Sequence, residues 1–428
     1  MPELDPSPDA LPGSGRIVVA FSAGPDSTCL LHQLTQVRLE RELVAVHVDH
    51  GLDPESGERA RQARAMAARF GIECTVVAVE VEARPGIEEA ARNARYRALS
   101  QFLSPDEVVL TAHHADDQVE TVFLRLLRGA GPRGLAGMPH TRRLDHAWLA
   151  RPMLHWSRRQ IDDYLDAHDL GALDDPANRH LTHDRNFLRH RILPALRRRW
   201  PGLQRAVLGS ARLNREAAEA LDQLADLDLD ACAVDDWRVK CEAADPLSRF
   251  RRGQMIRRWC ANRGLEPPPG RRLDSFLSQI EQAARDRLPE LRWHDGILRN
   301  WHGMLWLAPR PEPPTRWRLA WPEGPTAELP EGLGRLELRG CKRGLDEVDI
   351  RAGTPGERIR PAGRHGSRPV AQLMAEAEIP PWQRPMWPRL WRGDELLAVG
   401  DRWLTETFAD ELGRLGAGLR WTGDRIRT

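Results

Sequence analysis

Two groups of polar residues in the first half of the chain have the types and the spacing for phosphate chemistry. The first is a small-residue loop between an apolar run and a helix-like segment, residues 22–27, which reads SAGPDS. The second is residues 112–121, which read AHHADDQVET. Backbone N–H groups in such a loop can bind phosphate, and clustered carboxylates can bind a cation. Together they indicate phosphate chemistry assisted by a metal ion.

The loop contains no lysine, so it is not a Walker-type loop, which needs Gly-Lys-Ser/Thr. It can still bind phosphate through backbone N–H groups at a helix N-terminus, where the helix dipole favours anions. Pro25 suits a first helical turn. Asp26 would repel phosphate unless a cation lies between them, which favours Mg²⁺. The alternative is a capped strand-to-helix turn without a ligand. The candidate binding residues are Ser22, Ala23, Gly24, Pro25, Asp26 and Ser27.

The second stretch places acids on a helix that follows a strand. Asp117 and Glu120 are three residues apart and share one helix face, with Asp116 beside them. His113 precedes this helix, and Asp49 and His50 follow another strand. Each residue alone could be a helix cap or a solvated side chain, and the cluster favours a site. A transition-metal site is the alternative, disfavoured because carboxylates beside phosphate suit Mg²⁺ better.

Arginine dominates the basic residues, since the only lysines are Lys240 and Lys342. Arg92 and Arg95 lie on the predicted helix 87–103 and could bind phosphate or be solvated. Residues 179–199 contain seven arginines opposed only by Asp184. A basic stripe backed by apolar residues suits an RNA backbone, although an ordinary amphipathic helix has the same pattern.

These residues need a scaffold that brings strand ends together. Short apolar segments at 16–21, 43–48, 73–81 and 107–111 alternate with helix-like segments, which predicts βαβ units and a doubly wound, mostly parallel sheet. After residue 215 the pattern predicts helices at 211–227, 245–262 and 272–285, then a small β-meander. Residues 310–332 resemble a linker. A small α+β region with a helix at 369–378 follows.

The composition excludes several classes of protein. The sequence contains no membrane span or signal peptide. Six cysteines are scattered without a Cys-x-x-Cys, which argues against zinc, iron–sulfur and disulfide frameworks and favours a cytoplasmic location. The net charge of +1 carries no information about partners.

The loop resembles the SGGxDS pyrophosphate loop of the N-type ATP pyrophosphatase (PP-loop) superfamily, with Ala23 where the pattern has glycine. Because alanine disfavours positive φ, we expect a negative φ there. Further segments resemble the tRNA(Ile)-lysidine synthase family in order and spacing. They are VHVDHGL (46–52), EEAARNARYR (88–97), AHHADDQVET (112–121), DDPANRHLTHDRNFLRHRILP (174–194) and, less strongly, residues 356–404.

The resemblance implies an enzyme that ligates lysine to carbon-2 of the first anticodon cytidine of the CAU-anticodon isoleucine tRNA. ATP would adenylate the base, AMP and pyrophosphate would leave, and lysidine would change codon reading from AUG to AUA. ATP, Mg²⁺, free L-lysine and tRNA are the implied ligands, without a membrane; an oligomer is possible. The implied catalytic residues are Asp26, His113, Asp116, Asp117 and Glu120; Asp26 and Asp117 would bind metal, and Asp49, His50, Arg92 and Arg95 would join the ATP loop.

The resemblance also implies a catalytic domain at 1–215 and tRNA-binding domains at 216–310 and 335–428. Predicted tRNA contacts are Asn178, Arg185, Asn186, Arg189, Arg358 and Arg360. The family's lysine pair before the C-terminal helix is replaced by Val370-Ala371-Gln372, so arginines would have to bind RNA there. Two alternatives are tRNA thiolation, which needs a cysteine pair that is missing, and a non-catalytic tRNA-binding module, which the retained acids and serines oppose.

Overall fold

A computed structural model describes residues 2–51, 55–80, 87–173, 184–282 and 288–423, without the side chains of residues 87–89. The chain divides into two compact units, Met1–Ala220 and Leu221–Thr428. The finer division at 1–215, 216–310 and 335–428 stays a prediction. None of the helices in the described ranges combines the length and the apolar character needed to cross a membrane.

The first unit contains a six-stranded sheet in the order β3-β2-β1-β4-β6-β5. All neighbouring strands are parallel except the edge strand β5, which is antiparallel to β6. This confirms the predicted doubly wound, mostly parallel sheet. The strands are β1 (Ile17–Ala20), β2 (Leu43–Asp49), β3 (Cys74–Ala78), β4 (Val108–Leu110), β5 (Thr141–Leu144) and β6 (Ala147–Ala150).

Helices connect these strands and cover the sheet. They are α1 (Pro25–Thr35), α2 (Ser56–Arg69), α3 (Ile87–Phe102), α4 (Ala115–Leu127), α5 (Pro132–Leu135), α6 (Arg158–Ala167), α7 (Asp184–Phe187), α8 (Leu193–Arg199) and α9 (Leu203–Cys232), with a π-helical turn at Leu188–Ile192 and a 3₁₀ turn at Pro8–Ala10. The segment 184–199 is therefore helical throughout, as its apolar pattern predicts.

The central strand β1 explains why the site forms where it does. Its residues Ile17, Val18 and Val19 are buried, because helices cover both faces of a parallel sheet. The chain continues from β1 to β2 on one side and returns to β4 on the other. Ligands bind in the crevice at such a reversal of strand order, outside the carboxyl ends of the strands. The loop 22–27 and His113 both follow strands that flank this crevice.

The hairpin of β5 and β6 was not predicted from the sequence. Its turn places Asp145 at a φ of +52°, a conformation that aspartate adopts more readily than most residues. The hairpin extends the sheet because β6 pairs with the edge of β4.

The second unit begins within α9 and contains two five-stranded sheets. The first sheet has the order β7-β8-β11-β10-β9, and its strands β9 to β11 form the predicted meander. Its elements are β7 (Ala233–Asp235), β8 (Arg238–Lys240), α10 (Cys241–Ala244), α11 (Arg249–Asn262), α12 (Gly270–Gln282), β9 (Glu290–Arg292), β10 (Gly296–Trp301) and β11 (Met304–Pro309).

The remaining elements belong to three antiparallel sheets, in the orders β12-β15-β18-β19-β20, β13-β14-β21 and β16-β17. They are β12 (Arg318–Ala320), β13 (Thr326–Glu328), β14 (Arg335–Arg339), β15 (Asp349–Arg351), β16 (Arg358–Ile359), β17 (Arg368–Pro369), α13 (Val370–Glu376), a 3₁₀ turn (Arg384–Met386), β18 (Arg389–Arg392), β19 (Glu395–Val399), β20 (Trp403–Leu404), α14 (Glu406–Arg414) and β21 (Gly418–Thr422).

The prediction of a linker at 310–332 is wrong in part. Strand β12 pairs with β15, and β13 pairs with β14, so part of this proline-rich segment belongs to sheets. Three-residue strands leave little periodicity in a sequence, and their partners lie further along the chain.

The spaced tryptophans of this unit are mostly core. Trp387 is buried and packs against Trp421 with ring centroids 4.9 Å apart. Trp382 lies edge-on to Trp301 and Trp306 at centroid distances of 6.0 and 5.8 Å. Trp391 lies beneath the guanidinium of Arg351. Trp387 is therefore a core residue, while Trp382 belongs to a half-buried aromatic cluster.

Candidate active site

The loop after β1 has the geometry of a phosphate cradle. Helix α1 begins at Pro25, which suits a first helical turn, and Gly24 is its N-cap residue. Ser22 Oγ lies 3.1 Å from Ser27 Oγ, and Ser27 Oγ also donates to the carbonyl of Gly24 at 3.1 Å. A Cβ at Gly24 would come within 3.4 Å of Ser22 Oγ, so glycine keeps this side of the loop open. The N–H groups of the first helical turn lack intrahelical partners and can bind an anion.

The prediction of a negative φ at Ala23 is wrong. Ala23 has a φ of +61°, in the left-handed region that favours glycine. Its methyl group is fully buried, and its carbonyl accepts a hydrogen bond from the N–H of Leu173 at 2.8 Å. Packing and this bond therefore hold alanine in a conformation that costs it about 1 kcal/mol or more.

The predicted acids surround one imidazole at the start of α4. His114 is the N-cap residue of that helix, and the Asp117 carboxylate accepts its backbone N–H at 3.0 Å. His114 Nε2 lies 3.7 Å from Asp26 and 3.5 Å from Asp117, and its Nδ1 lies 3.6 Å from Asp116. The structure thus brings the loop aspartate and two helix acids around a histidine that was not among the predicted site residues.

This arrangement alters the pKa values of all four groups. Burial opposes the imidazolium, but the surrounding carboxylates, Asp117 first, outweigh it and raise the pKa of His114. Burial also opposes the charged aspartates, yet hydrogen bonds and positive neighbours lower the pKa of Asp116 and bring that of Asp117 to about 2. For Asp26 burial prevails and raises the pKa. Asp26 is therefore the acid most in need of a further cation.

The arginine-rich segment 184–199 lies against the acids of α4. Arg185 donates to Glu120 at 2.7 Å and to Asp117 at 3.1 Å. Arg189 donates to the same two acids at 2.6 and 3.0 Å. Arg197 forms an ion pair with Asp116. The side chain of Glu120 is 1% exposed, so these guanidinium groups compensate a buried charge.

Arg158, at the start of α6, contacts the loop acid directly and was missed from the sequence. Its guanidinium donates to Asp26 Oδ1 at 3.0 Å, and its backbone N–H donates to Asp116 Oδ2 at 3.0 Å. The sequence does contain a helix-start signal here, since Ser157 and Gln160 form a capping box. Nothing in the sequence showed that this helix start lies beside residue 26.

His113 lies next to the acid cluster but remains neutral. Burial first, and then the charges of Arg151, Arg185 and Arg92, outweigh Asp117 and lower its pKa well below the ordinary value. Its Nδ1 lies 2.8 Å from Thr111 Oγ1.

The residues after β2 form a second group. Asp49 Oδ1 accepts the N–H of Gly51 at 3.0 Å, and Arg95 lies 3.3 Å from His50 Nε2. Burial lowers the pKa of His47, whose Nδ1 lies 2.8 Å from the carbonyl of Phe21 and so ties β2 to the strand before the loop.

The residues predicted to contact tRNA lie in different parts of the structure. Asn178 lies outside the described residues, and Asn186 is half-buried on α7. Arg185 and Arg189 contact acids of the site. Arg358 and Arg360 are exposed in the second unit, where Arg358 donates to the carbonyl of Ser367 at 2.6 Å.

Of the two acids predicted to bind metal, Asp26 rather than Asp117 can take a hard cation. Both carboxylate oxygens of Asp117 already accept hydrogen bonds, from Arg185, Arg189 and the His114 N–H. Asp26 is one-third exposed and has its raised pKa, so it can take a cation. Within the described ranges, no three His, Cys, Asp or Glu side chains are arranged to hold a metal ion by themselves.

Three family models match segments of this chain. Residues 6–196 match the PP-loop domain, residues 240–306 the TilS substrate binding domain, and residues 348–421 the TilS substrate C-terminal domain. The first unit is thus a PP-loop ATP-binding domain, the class that the loop and the sheet define.

Curated relatives narrow the class. A tRNA(Ile)-lysidine synthase of Alkalilimnicola ehrlichii is 40% identical, with 95% of each chain covered. Enzymes of the same name from Methylococcus capsulatus and Edwardsiella ictaluri are 36% and 35% identical, covering 94% and 97% of this chain and 95% and 97% of theirs. The chain belongs to the tRNA(Ile)-lysidine synthase family, and it is accordingly a ligase that binds ATP.

Proposed function

We propose that this enzyme converts the first anticodon cytidine of the CAU-anticodon isoleucine tRNA to lysidine, which changes codon reading from AUG to AUA. The carbon-2 oxygen of the cytosine attacks the α-phosphate of ATP and pyrophosphate leaves. The amine of free lysine then attacks carbon-2, and AMP leaves with the oxygen. The observation that carries the proposal is the acid cluster around His114 beside the loop 22–27, in a chain that matches this family throughout its length.

The loop binds the phosphates that become pyrophosphate. Its backbone N–H groups and the hydroxyl groups of Ser22 and Ser27 face the charge that develops as the α–β bond breaks. Asp26 would hold Mg²⁺, which would supply positive charge to the phosphates. Arg158, already 3.0 Å from Asp26, adds a second positive group at that position.

The buried acids of α4 select an amine substrate. Asp117 and Glu120 are charged and paired with two guanidinium groups, so the lysine ammonium enters by replacing an arginine contact. His113 stays neutral beside Asp117, so it adds no positive charge that would repel the lysine ammonium. Arg185 and Arg189, once displaced, are free to contact the tRNA, as the sequence predicts.

Thiol chemistry is the weaker proposal for this scaffold. Burial raises the pKa of both Cys29 and Cys260 to about 12, so these thiols do not ionise near neutral pH. All six cysteines are unpaired, and none takes part in the acid cluster.

The decisive experiment incubates the enzyme with bulk tRNA, ATP, Mg²⁺ and labelled lysine. We expect label in one isoleucine tRNA only, with one AMP formed per lysine incorporated. Asp26→Asn should reduce the rate at least about 100-fold, the loss typical when a transition-state charge contact is removed. Asp163→Asn is the matched control, since Asp163 is exposed on α6. Full activity of Asp26→Asn, or ATP cleavage on a different substrate, would contradict the proposal.

A further inference from the structure

Three arginines gather around Tyr96, beside the acid cluster but with no assigned role as a group. Tyr96 lies on α3, one turn after Arg92, whose guanidinium carbon is 5.3 Å from the ring centroid. Arg142, on the edge strand β5, approaches the same ring to 5.1 Å. Arg151, directly after β6, lies close enough to Tyr96 for its charge to lower the pKa of the phenol. We call these residues the Tyr96 arginine cluster.

The cluster lacks a compensating acid. Among the described residues, no carboxylate lies within ion-pair distance of Arg92, Arg142 or Arg151. Arg151 is only 2% exposed, and its Nε is buried without a hydrogen-bond partner. Its Nη1 donates only to the carbonyl of Pro139, at 2.9 Å. Burying an unpaired charge is costly, so such a cluster points to an anionic ligand.

The electrostatic effects on Tyr96 agree with this geometry. Burial alone would raise the pKa of the phenol, but Arg92, Arg151 and Arg142 together lower it. Burial and the other two arginines also lower the pKa of Arg151 itself. The cluster therefore concentrates positive charge on a surface where Arg92 is exposed and Arg142 half-exposed.

The cluster lies close to the predicted catalytic residue His113. The charges of Arg92 and Arg151 act on this imidazole, which lies at the border of the acid cluster. They are not among the charges that act most strongly on Asp26, which belong to His114, Arg158, Asp117 and Arg189. An anion at the Tyr96 arginine cluster thus lies near His113.

We propose that Arg92 and Arg142 bind a backbone phosphodiester of the RNA next to the target cytidine, and that Arg151 positions Tyr96 beneath it. The proposal rests on the proposed function, since it names the part of the substrate that this surface takes. Planar guanidinium groups suit phosphate oxygens. A phosphodiester held here would place the neighbouring base near His113, whereas Arg92 as an ATP ligand would need the nucleotide to extend away from its loop.

The test compares Arg92→Gln and Arg142→Gln with Arg97→Gln, an exposed arginine on the same helix as Tyr96. Affinity for the isoleucine tRNA is measured at several salt concentrations, and KM for ATP is measured in parallel. Each cluster variant should raise the tRNA Kd about tenfold and lower the salt slope by about 0.7 to 1, with KM for ATP unchanged. Arg97→Gln should match the wild type.

A modified RNA locates the contact. An anticodon stem-loop with a single methylphosphonate linkage beside the target cytidine carries no charge at that phosphate. The wild type should bind it less tightly than the natural RNA, while Arg142→Gln should bind both equally. Tyr96→Phe, which keeps the ring and the exposed arginines, should show a smaller loss and serves if a charge variant does not fold.

Each remaining outcome decides against the proposal. A raised KM for ATP with unchanged tRNA affinity assigns the cluster to the nucleotide. If Arg92→Gln, Arg142→Gln and Arg97→Gln bind tRNA alike, the Tyr96 arginine cluster is not an RNA-binding site. Binding is measured without turnover, so a wild-type enzyme that incorporates no lysine would overturn the proposed function and leave the salt-slope comparison valid.

Discussion

Ala23 shows how much one residue of the loop depends on its surroundings. Its φ of +61° disfavours alanine by about 1 kcal/mol, while its buried methyl group contributes about 0.8 kcal/mol. These opposing contributions nearly cancel, so the loop tolerates alanine in a position where glycine would be unstrained.

Replacing Ala23 should therefore separate conformation from packing. We expect Ala23→Gly to keep lysine incorporation and to change the free energy of unfolding by less than about 1 kcal/mol. Ala23→Val should lose ATP binding and at least about 2 kcal/mol, because a β-branched residue does not tolerate positive φ. Urea unfolding and nucleotide titration measure both. A stable, active valine variant would show that the loop does not need this conformation.

Asp117 should make stability depend on acid pH. Its pKa is about 2 in the folded protein against an ordinary value of 3.8, so the folded state binds fewer protons between these values. The resulting stabilisation is complete above about pH 4 and is lost as the pH falls towards 2. The free energy of unfolding should fall more steeply over this range in the wild type than in Asp117→Asn. Asp163→Asn, on an exposed acid, should behave as the wild type.

At the scale of elements, the contact between α4 and the segment 184–199 holds the acids in place. Glu120 is buried, and its two oxygens accept hydrogen bonds from Arg185 and Arg189 at 2.6 to 3.0 Å. The pairing makes the acids available as charged groups without an external cation. It also means that an entering ammonium group must compete with guanidinium groups already in place.

A series of variants tests how far the stability of the protein depends on the pairing of Glu120 with Arg185 and Arg189. Arg185→Gln combined with Arg189→Gln leaves the Glu120 carboxylate buried and unpaired, which should cost about 3 to 5 kcal/mol in urea unfolding. Adding Glu120→Gln should restore most of that loss, because an amide needs no counter-ion. The exposed pair Arg212–Glu216 is the control, and Arg212→Gln should change stability by less than about 1 kcal/mol. A double variant as stable as the wild type would contradict the role of the ion pairs.

For the whole molecule, the local distribution of charge matters more than the net charge. The chain has 63 basic and 62 acidic residues, so a net attraction cannot bring RNA to it. Binding must come from local arginine groups such as the Tyr96 arginine cluster and the exposed residues Arg358 and Arg360. The C-terminal helix α13 begins with Val370-Ala371-Gln372 and offers no cation of its own.

Removing the C-terminal arginines should therefore weaken RNA binding without affecting ATP. We expect Arg358→Gln/Arg360→Gln to raise the tRNA Kd about tenfold and to reduce the salt slope by about 1 to 2, with KM for ATP unchanged. Arg335→Gln, an exposed arginine of β14 in the same unit, is the control. If the double variant binds tRNA like the control, these residues are not RNA contacts.

The sequence by itself determined the parts of this protein that local patterns encode. Alternating apolar strands and helices predicted the parallel sheet, Pro25 marked the start of α1, and the Asp117–Glu120 spacing placed two acids on one helix face. The quoted motifs also identified the family, because their order and spacing are preserved along the chain. The short strands within residues 310–332 and 141–150 were not predicted. Each is too short to show a periodic pattern, and some of their partner strands lie far along the chain.

Only the tertiary structure decided what surrounds those residues. Arg158 and Arg151 act on neighbours far away in sequence, and so does His114 where it approaches Asp26. The spacing of these residues carries no sign of those contacts. The positive φ of Ala23 is likewise maintained by the burial of its methyl group and by Leu173. Local propensity reflects interactions within a few residues, whereas burial and charge pairing depend on the packing of separate elements. The types of the reacting groups could thus be predicted from the sequence, and their charge states required the fold.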